Sequence, residues 1–165
     1  MRTAIIYASK NGATERVALR LKDKIKGEVR VFPITKFGSS CLLKYDFVII
    51  AGSIHFGRIQ SEVKSFVNKN AKTLQGINYG LYIMCIEEEK EEEYLEKAFT
   101  KEIVDSAFIV SAFGGEIDPN EGNFLIKRMI KKILEDMEKE GKGSPSIKWE
   151  LVDEYADEIN SRFSK

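Results

Sequence analysis

No stretch of this sequence is apolar for long enough to cross a bilayer. The longest purely apolar runs, such as Phe47 to Ala51, fall far short of the roughly 20 residues a hydrocarbon core demands. Charge of one sign is not in excess either. The 26 Lys and Arg stand against 26 Asp and Glu, so the chain lacks the basic surplus with which proteins hold nucleic acid by counterion release, and nucleic acid is not an expected partner. Cysteine is scarce: Cys41 and Cys85 fall in different expected elements without CxxC spacing, which argues against a disulfide scaffold or a zinc site. Both read as reduced structural thiols, with a redox role for Cys85 as the alternative. The first residues, Met1 to Tyr7, lead into a strand pattern with neither an apolar leader core nor a small-residue cleavage site, so a cytoplasmic location is expected.

What the sequence does have is apolar patterning. With 43% hydrophobic residues the chain is too apolar for disorder, and its 165 residues suit a single domain spanning 1–165. Five runs rich in β-branched and aromatic residues, at 3–8, 28–33, 47–52, 79–86 and 108–113, alternate with helical spacings such as Val17, Leu21 and Ile25. This alternation predicts an α/β fold, a parallel sheet covered by helices. The third run is apolar at successive positions, as a strand buried on both faces must be, and belongs at the centre of the sheet. Further helices are expected at Phe124–Lys139, at Trp149–Phe163 and around Leu95, Ala98 and Phe99, with a short irregular helix within 35–44.

Between the first run and the first helix lies Ser9-Lys10-Asn11-Gly12-Ala13-Thr14, the place where a doubly wound sheet binds an anion. Asn11 and Gly12 both tolerate positive φ, so the loop can curl until several backbone N–H groups converge. Ser9 and Thr14 add hydroxyls, and the helix N-terminus adds a favourable dipole. A phosphate monoester suits the result; a plain turn capped by Thr14 is the simpler alternative. Neither GxGxxG nor GxxxxGK[ST] occurs, which disfavours NAD in a dinucleotide turn and ATP in a P-loop.

The second segment, Gly52-Ser53-Ile54-His55-Phe56-Gly57-Arg58, leaves the carboxyl end of the third strand. For strand order 2-1-3-4-5 the ligand crevice lies between strands one and three, so both loops face it. Glycines at 52 and 57 would admit a planar ring closely, and Ile54 or Phe56 would cover its apolar part. His55 is the only histidine. No Ser/His/Asp or paired-carboxylate arrangement accompanies it, and no catalytic side chain or metal ligand is assigned.

These loops, with the strand from Tyr45 to Ser53, resemble the flavodoxin-like FMN proteins. More narrowly, Gly52 to Gly57 followed by Val63 to Val67, and Phe113 to Asp118 followed by a basic amphipathic helix, resemble the flavodoxin-domain family of menaquinone-dependent protoporphyrinogen IX dehydrogenases over nearly the whole chain. The resemblance implies a flavodoxin-like three-layer sandwich, its five-stranded parallel sheet ordered 2-1-3-4-5, with FMN as cofactor. By position it implies that Ser9, Lys10, Asn11, Gly12, Ala13 and Thr14 hold the FMN phosphate. It sets Ser53, Ile54, His55, Phe56, Gly57 and Arg58 against the isoalloxazine, with Cys85, Ile86 and Glu87 and then Phe113, Gly114 and Gly115 as the further strand-end loops. The activity it implies is chemistry on FMN: oxidation of protoporphyrinogen IX with electrons passed to menaquinone. A flavodoxin-type carrier shuttling electrons between redox proteins is the alternative. Departures from the dehydrogenase pattern are specific. His55 and Phe56 stand where the defining dehydrogenase has Arg and Tyr, and the loop after the fifth strand, rich in Arg and Tyr there, carries Glu116, Asp118 and Glu121 here. Carboxylates repel the propionates of a porphyrinogen.

Two charged stretches remain. Residues 87–93 hold six carboxylates in seven positions, which read as a solvated helix start, or as an acidic rim that steers a basic redox partner and disfavours negative charge on a nearby ring. Phe124–Lys139 sets Ile126, Met129, Ile130, Ile133 and Met137 on one face beside Lys127, Arg128, Lys131 and Lys132. Such a helix packs on a core, or rests peripherally on anionic lipid at the inner face of the cell membrane, where a quinone is reached.

Overall fold

The computed structural model describes residues 1–163. Its first and third strands, β1 (Arg2–Tyr7) and β3 (Phe47–His55), have no polar face: residues 4–6 and 47–51 are all fully buried, because helices cover both sides of the sheet there. β2 (Glu28–Pro33) is less buried, as an edge strand is, and ends in a proline whose missing N–H an edge tolerates. With β5 (Tyr79–Met84) and β6 (Ile109–Ala112) these strands form a parallel sheet of order β2-β1-β3-β5-β6. Counted over the parallel strands alone, this is the expected 2-1-3-4-5. One further strand goes beyond the expectation. β4 (Arg58–Ile59) folds back antiparallel on β3, pairing Ile54 with Ile59 and His55 with Arg58, so β3 runs past its expected end at Gly52. A two-residue strand is too short to show a period.

Strand alternation divides the core in two. Ile5, Phe47, Ile49 and Tyr82 pack under α1 (Ala13–Lys24) and α6 (Trp149–Phe163), whereas Ile6, Val48, Ile50 and Leu81 pack under α2 (Ser61–Leu74), α3 (Glu91–Ala98) and α4 (Lys101–Ser106). The apolar stripes of these helices supply the matching layers: Val17 and Leu21, Val152 and Ile159, Val63 and Val67. The single helix expected around Leu95 to Phe99 is two. Phe99 turns extended (φ −125°, ψ 149°) and α4 restarts after Thr100, which leaves both Phe99 and Ile103 buried in one cluster. The irregular stretch before β3 forms two 3-10 turns, Ile34–Lys36 and Ser39–Lys44.

α5 (Phe124–Lys139) stands apart from both layers. Asn123 caps it, accepting from the Leu125 and Ile126 N–H groups, but Ile130 is its only buried residue and Phe124 and Leu125 are 75% and 72% exposed. Among the described residues no helix is long and apolar enough to cross a membrane, no group of three or more His, Cys, Asp or Glu is arranged to hold a metal ion, and neither cysteine is in a disulfide.

Candidate functional site

The loop between β1 and α1 is built around one glycine. Gly12 sits at the N-cap of α1 with φ +81°, and its carbonyl accepts the first helical bond from the Arg16 N–H at 2.9 Å. Asn11 does not share the left-handed conformation: Gly12 alone makes the turn, where the sequence allowed either. Thr14 is not the cap. No side chain caps α1, so the first-turn N–H groups are left for an acceptor from outside the helix. The Thr14 residue is 1% exposed, and its hydroxyl, like that of Ser9, is buried without a hydrogen-bond partner in the chain. Leaving a buried hydroxyl unsatisfied costs about 1–3 kcal/mol. Two of them at one helix N-terminus mark a place for a bound acceptor. Below them the Tyr82 phenol donates to the Thr14 carbonyl at 2.8 Å, fixing the start of the helix on the sheet.

The loop from β3 to β4 is a hairpin. Phe56 (φ +49°) and Gly57 (φ +74°) are consecutive left-handed residues, the conformation a two-residue hairpin turn demands. At Gly52 the close approach is made by the chain itself. A Cβ there would lie 2.8 Å from Gln60 Oε1 and 2.9 Å from the Ile59 side chain. Ser53 Oγ lies 3.0 Å from His55 Nε2. Burial, and then the Lys10 ammonium, hold the imidazole below its ordinary value, with Glu121 acting in the opposite sense. Both lowering effects favour the neutral form of the His55 imidazole.

These loops form one end of a cleft of about 180 Å³. Met84, Cys85, Ile86 and Glu87 follow from β5, Tyr94 from α3, Gly115, Ile117 and Glu121 from the segment after β6, and Ile126, Ile130 and Ile133 from α5. Glu87 accepts from Lys90 Nζ at 2.5 Å and from the Tyr94 phenol, which hold it below the usual carboxylate range. It is charged and already satisfied. A Cβ at Gly115 would come within 2.9 Å of Ile86 Cγ2, so glycine lets this segment close against the end of β5.

The geometry places a helix N-terminus with unsatisfied hydroxyls beside an apolar cleft at the switch point of the sheet. The family profile described as Flavodoxin domain matches residues 4–144. The chain belongs to the flavodoxin-domain family. No curated protein matches it. Among solved structures, the flavodoxin of Streptococcus pneumonia TIGR4 is similar at 17% identity, with a TM-score of 0.59 over 98% of this chain and 99% of that one. A flavodoxin from the domain Archaea aligns over 100% of both chains at 11% identity and a TM-score of 0.59. The two-electron reduced flavodoxin of Megasphaera elsdenii aligns over 67% of this chain and 84% of its own, at 15% identity and a TM-score of 0.52. At such identities the likeness is one of fold.

Within this flavodoxin domain most of the expected site residues share the cleft: Ser9, Asn11, Ala13 and Thr14, Ser53 to Gly57, Cys85 to Glu87, and Gly115. Five lie outside its lining. Lys10 and Gly12 open on a neighbouring recess with Tyr7, Glu15 and Thr35. Arg58 is exposed on β4. Phe113 is fully buried in the α1 and α6 core, with ring centroids 5.2 Å from Tyr82 and 5.3 Å from Tyr155. Gly114 bridges to Ile147, and a Cβ there would strike the Ser146 carbonyl oxygen. Both positions are taken up by the chain's own packing: the segment after β6 first ties down the chain entering α6 and lines the cleft from Gly115 onward. Glu121, expected near the substrate, lines the cleft; Tyr94 and the three α5 isoleucines do so unforeseen, because no local motif marks residues brought in from separate elements.

Proposed function

We propose that this flavodoxin domain binds FMN and works as an electron-transfer flavoprotein. The observation that carries the reading is the pair of buried, unpartnered hydroxyls of Ser9 and Thr14 at the N-terminus of α1, a set of donors that suits a phosphate monoester. Bound FMN supplies reversible one- and two-electron chemistry. The Ser9–Thr14 loop would hold its phosphate, and the 53–57 hairpin, the end of β5 and Gly115 would flank its ring. Ile54 and Ile86 would shield that space from water, and His55 would offer a hydrogen bond. Electron transfer requires no side-chain acid or base, and the similar flavodoxin of Megasphaera elsdenii is described in a two-electron reduced form. A redox protein is then the partner, met at the exposed hairpin tip Phe56, which is 66% exposed.

A second reading is oxidation of protoporphyrinogen IX with electrons passed to menaquinone. One observation favours it: the cleft is walled on the α5 side by Ile117, Ile126, Ile130 and Ile133, an apolar surface that suits a flat apolar substrate. The exposed Phe124 and Leu125, beside Lys127 and Arg128, suit peripheral contact with an anionic membrane surface. Flavin absorbance in the purified protein, with the cofactor identified by mass after release, tests the first step; a colourless protein that takes up no FMN sinks both readings. Anaerobic bleaching by protoporphyrinogen and recovery with a menaquinone analogue supports the second. Reduction only by a protein donor supports the carrier.

A further inference from the structure

The segment between β6 and α5 reaches back over the proposed phosphate loop and grips it. Asp118 shapes a turn, accepting the Asn120 N–H on Oδ1 at 2.8 Å and the Glu121 N–H on its carbonyl at 3.1 Å. Gly122 follows with φ +79°, packed so closely on Ile126 that a Cβ would lie 2.8 Å from its Cγ2. The turn thereby delivers Glu121 to the loop. Its Oε1 lies 2.6 Å from Lys10 Nζ, and its Oε2 accepts from Asn11 Nδ2 at 2.6 Å. A second tie, from Arg16 to Glu116, anchors the same segment to the first turn of α1. The outer side-chain donors of the anion site are thus taken by an internal carboxylate, while its inner hydroxyls, on Ser9 and Thr14, have no partner.

We propose that Glu121 is a specificity-determining residue of this site, a tethered anion that competes with the cofactor phosphate for Lys10 and Asn11. The inference rests on the FMN reading above and deepens it. A carboxylate and a phosphate dianion repel one another when they share two donors in a partly buried site. For phosphate to use Lys10 and Asn11, Glu121 has to release them. Each phosphorylated ligand therefore meets a penalty that an uncharged one escapes, and Glu121 lowers the preference for FMN over riboflavin. The Lys10 ammonium bond holds Glu121 below the usual carboxylate range, so the competitor stays charged through the neutral range.

The test is a titration of flavin-free protein with FMN and with riboflavin, followed by quenching of flavin fluorescence, for the wild type, Glu121→Gln and Glu121→Ala. Removing the charge should tighten FMN binding roughly tenfold and change riboflavin binding by far less. FMN affinity that is unchanged or weaker in both variants overturns the inference, and so does equal tightening of FMN and riboflavin, since a gain at the ring is not competition at the phosphate. A wild type that binds no FMN overturns the cofactor reading and this inference with it. Normal wild-type binding with unaltered selectivity in the variants overturns this inference alone.

Discussion

Gln60 holds Ser53 at two points: its amide oxygen accepts the Ser53 backbone N–H at 2.8 Å, and its amide nitrogen donates to Ser53 Oγ at 2.6 Å. The same nitrogen lies 3.4 Å from the Ala8 carbonyl, so one side chain braces the ends of β1 and β3 at the entry to α2. Gln60→Ala should lower the unfolding free energy by about 2 kcal/mol, because the Ser53 groups lose a partly buried partner. Urea denaturation measures this, and a change near zero would show that water replaces the brace without cost.

Thr14 separates binding from stability. In Thr14→Val the shape is kept and an unsatisfied buried hydroxyl is removed, so flavin-free protein should gain about 1 kcal/mol. FMN affinity should fall in the same variant, and Thr14→Asp should weaken it further by setting a charge against the phosphate. Thermal unfolding of flavin-free protein and flavin titration report the two effects. Destabilisation of flavin-free Thr14→Val would mean that the hydroxyl has a partner in the folded chain.

The parts of the fold that are legible in the sequence are those written as periods. Residues 47–51 announce a central strand by unbroken apolarity, and α5 and α6 match their expected bounds because their stripes are long. The cleft is legible only where one loop carries its own chemistry, as Ser9 to Thr14 does. Asn11 and Glu121 meet across 110 positions, and nothing periodic records such a contact. Gly52 shows the limit of reading a lone glycine: it signals that something approaches the backbone, and the atoms found there belong to Gln60 and Ile59.

Asp153 joins α6 to α1 through Arg20 Nη2 at 2.8 Å and Lys24 Nζ at 2.9 Å, and these bonds, Arg20 first, hold it well below the usual carboxylate range. A depressed folded-state value means that the contribution is fully present above the unfolded value of about 4 and is lost as pH falls through the folded one. The stability difference between wild type and Asp153→Asn should therefore be flat near neutrality and shrink on acidification. Because the pair is solvent-facing, added salt should shrink it at neutral pH as well. A difference indifferent to both acid and salt would assign the effect to packing.

His55 can report on the loop without any ligand, since as the only histidine it gives a single imidazole titration. Burial and then Lys10 lower its value, and Glu121 opposes them, so its midpoint should lie below the ordinary value of about 6.5. The signs for the variants follow. Lys10→Gln removes a like charge and should move the midpoint up, whereas Glu121→Gln removes an opposite charge and should move it down. The linkage runs the same way: a depressed folded-state value favours folding above about pH 6.5, and that contribution is lost as pH falls through the folded midpoint. In His55→Ala this slope should vanish while the acid limb from Asp153 remains. Proton NMR gives the midpoints and denaturation at stepped pH gives the slope. If Lys10→Gln and Glu121→Gln moved the midpoint in the same direction, the imidazole would not be sensing two opposite charges.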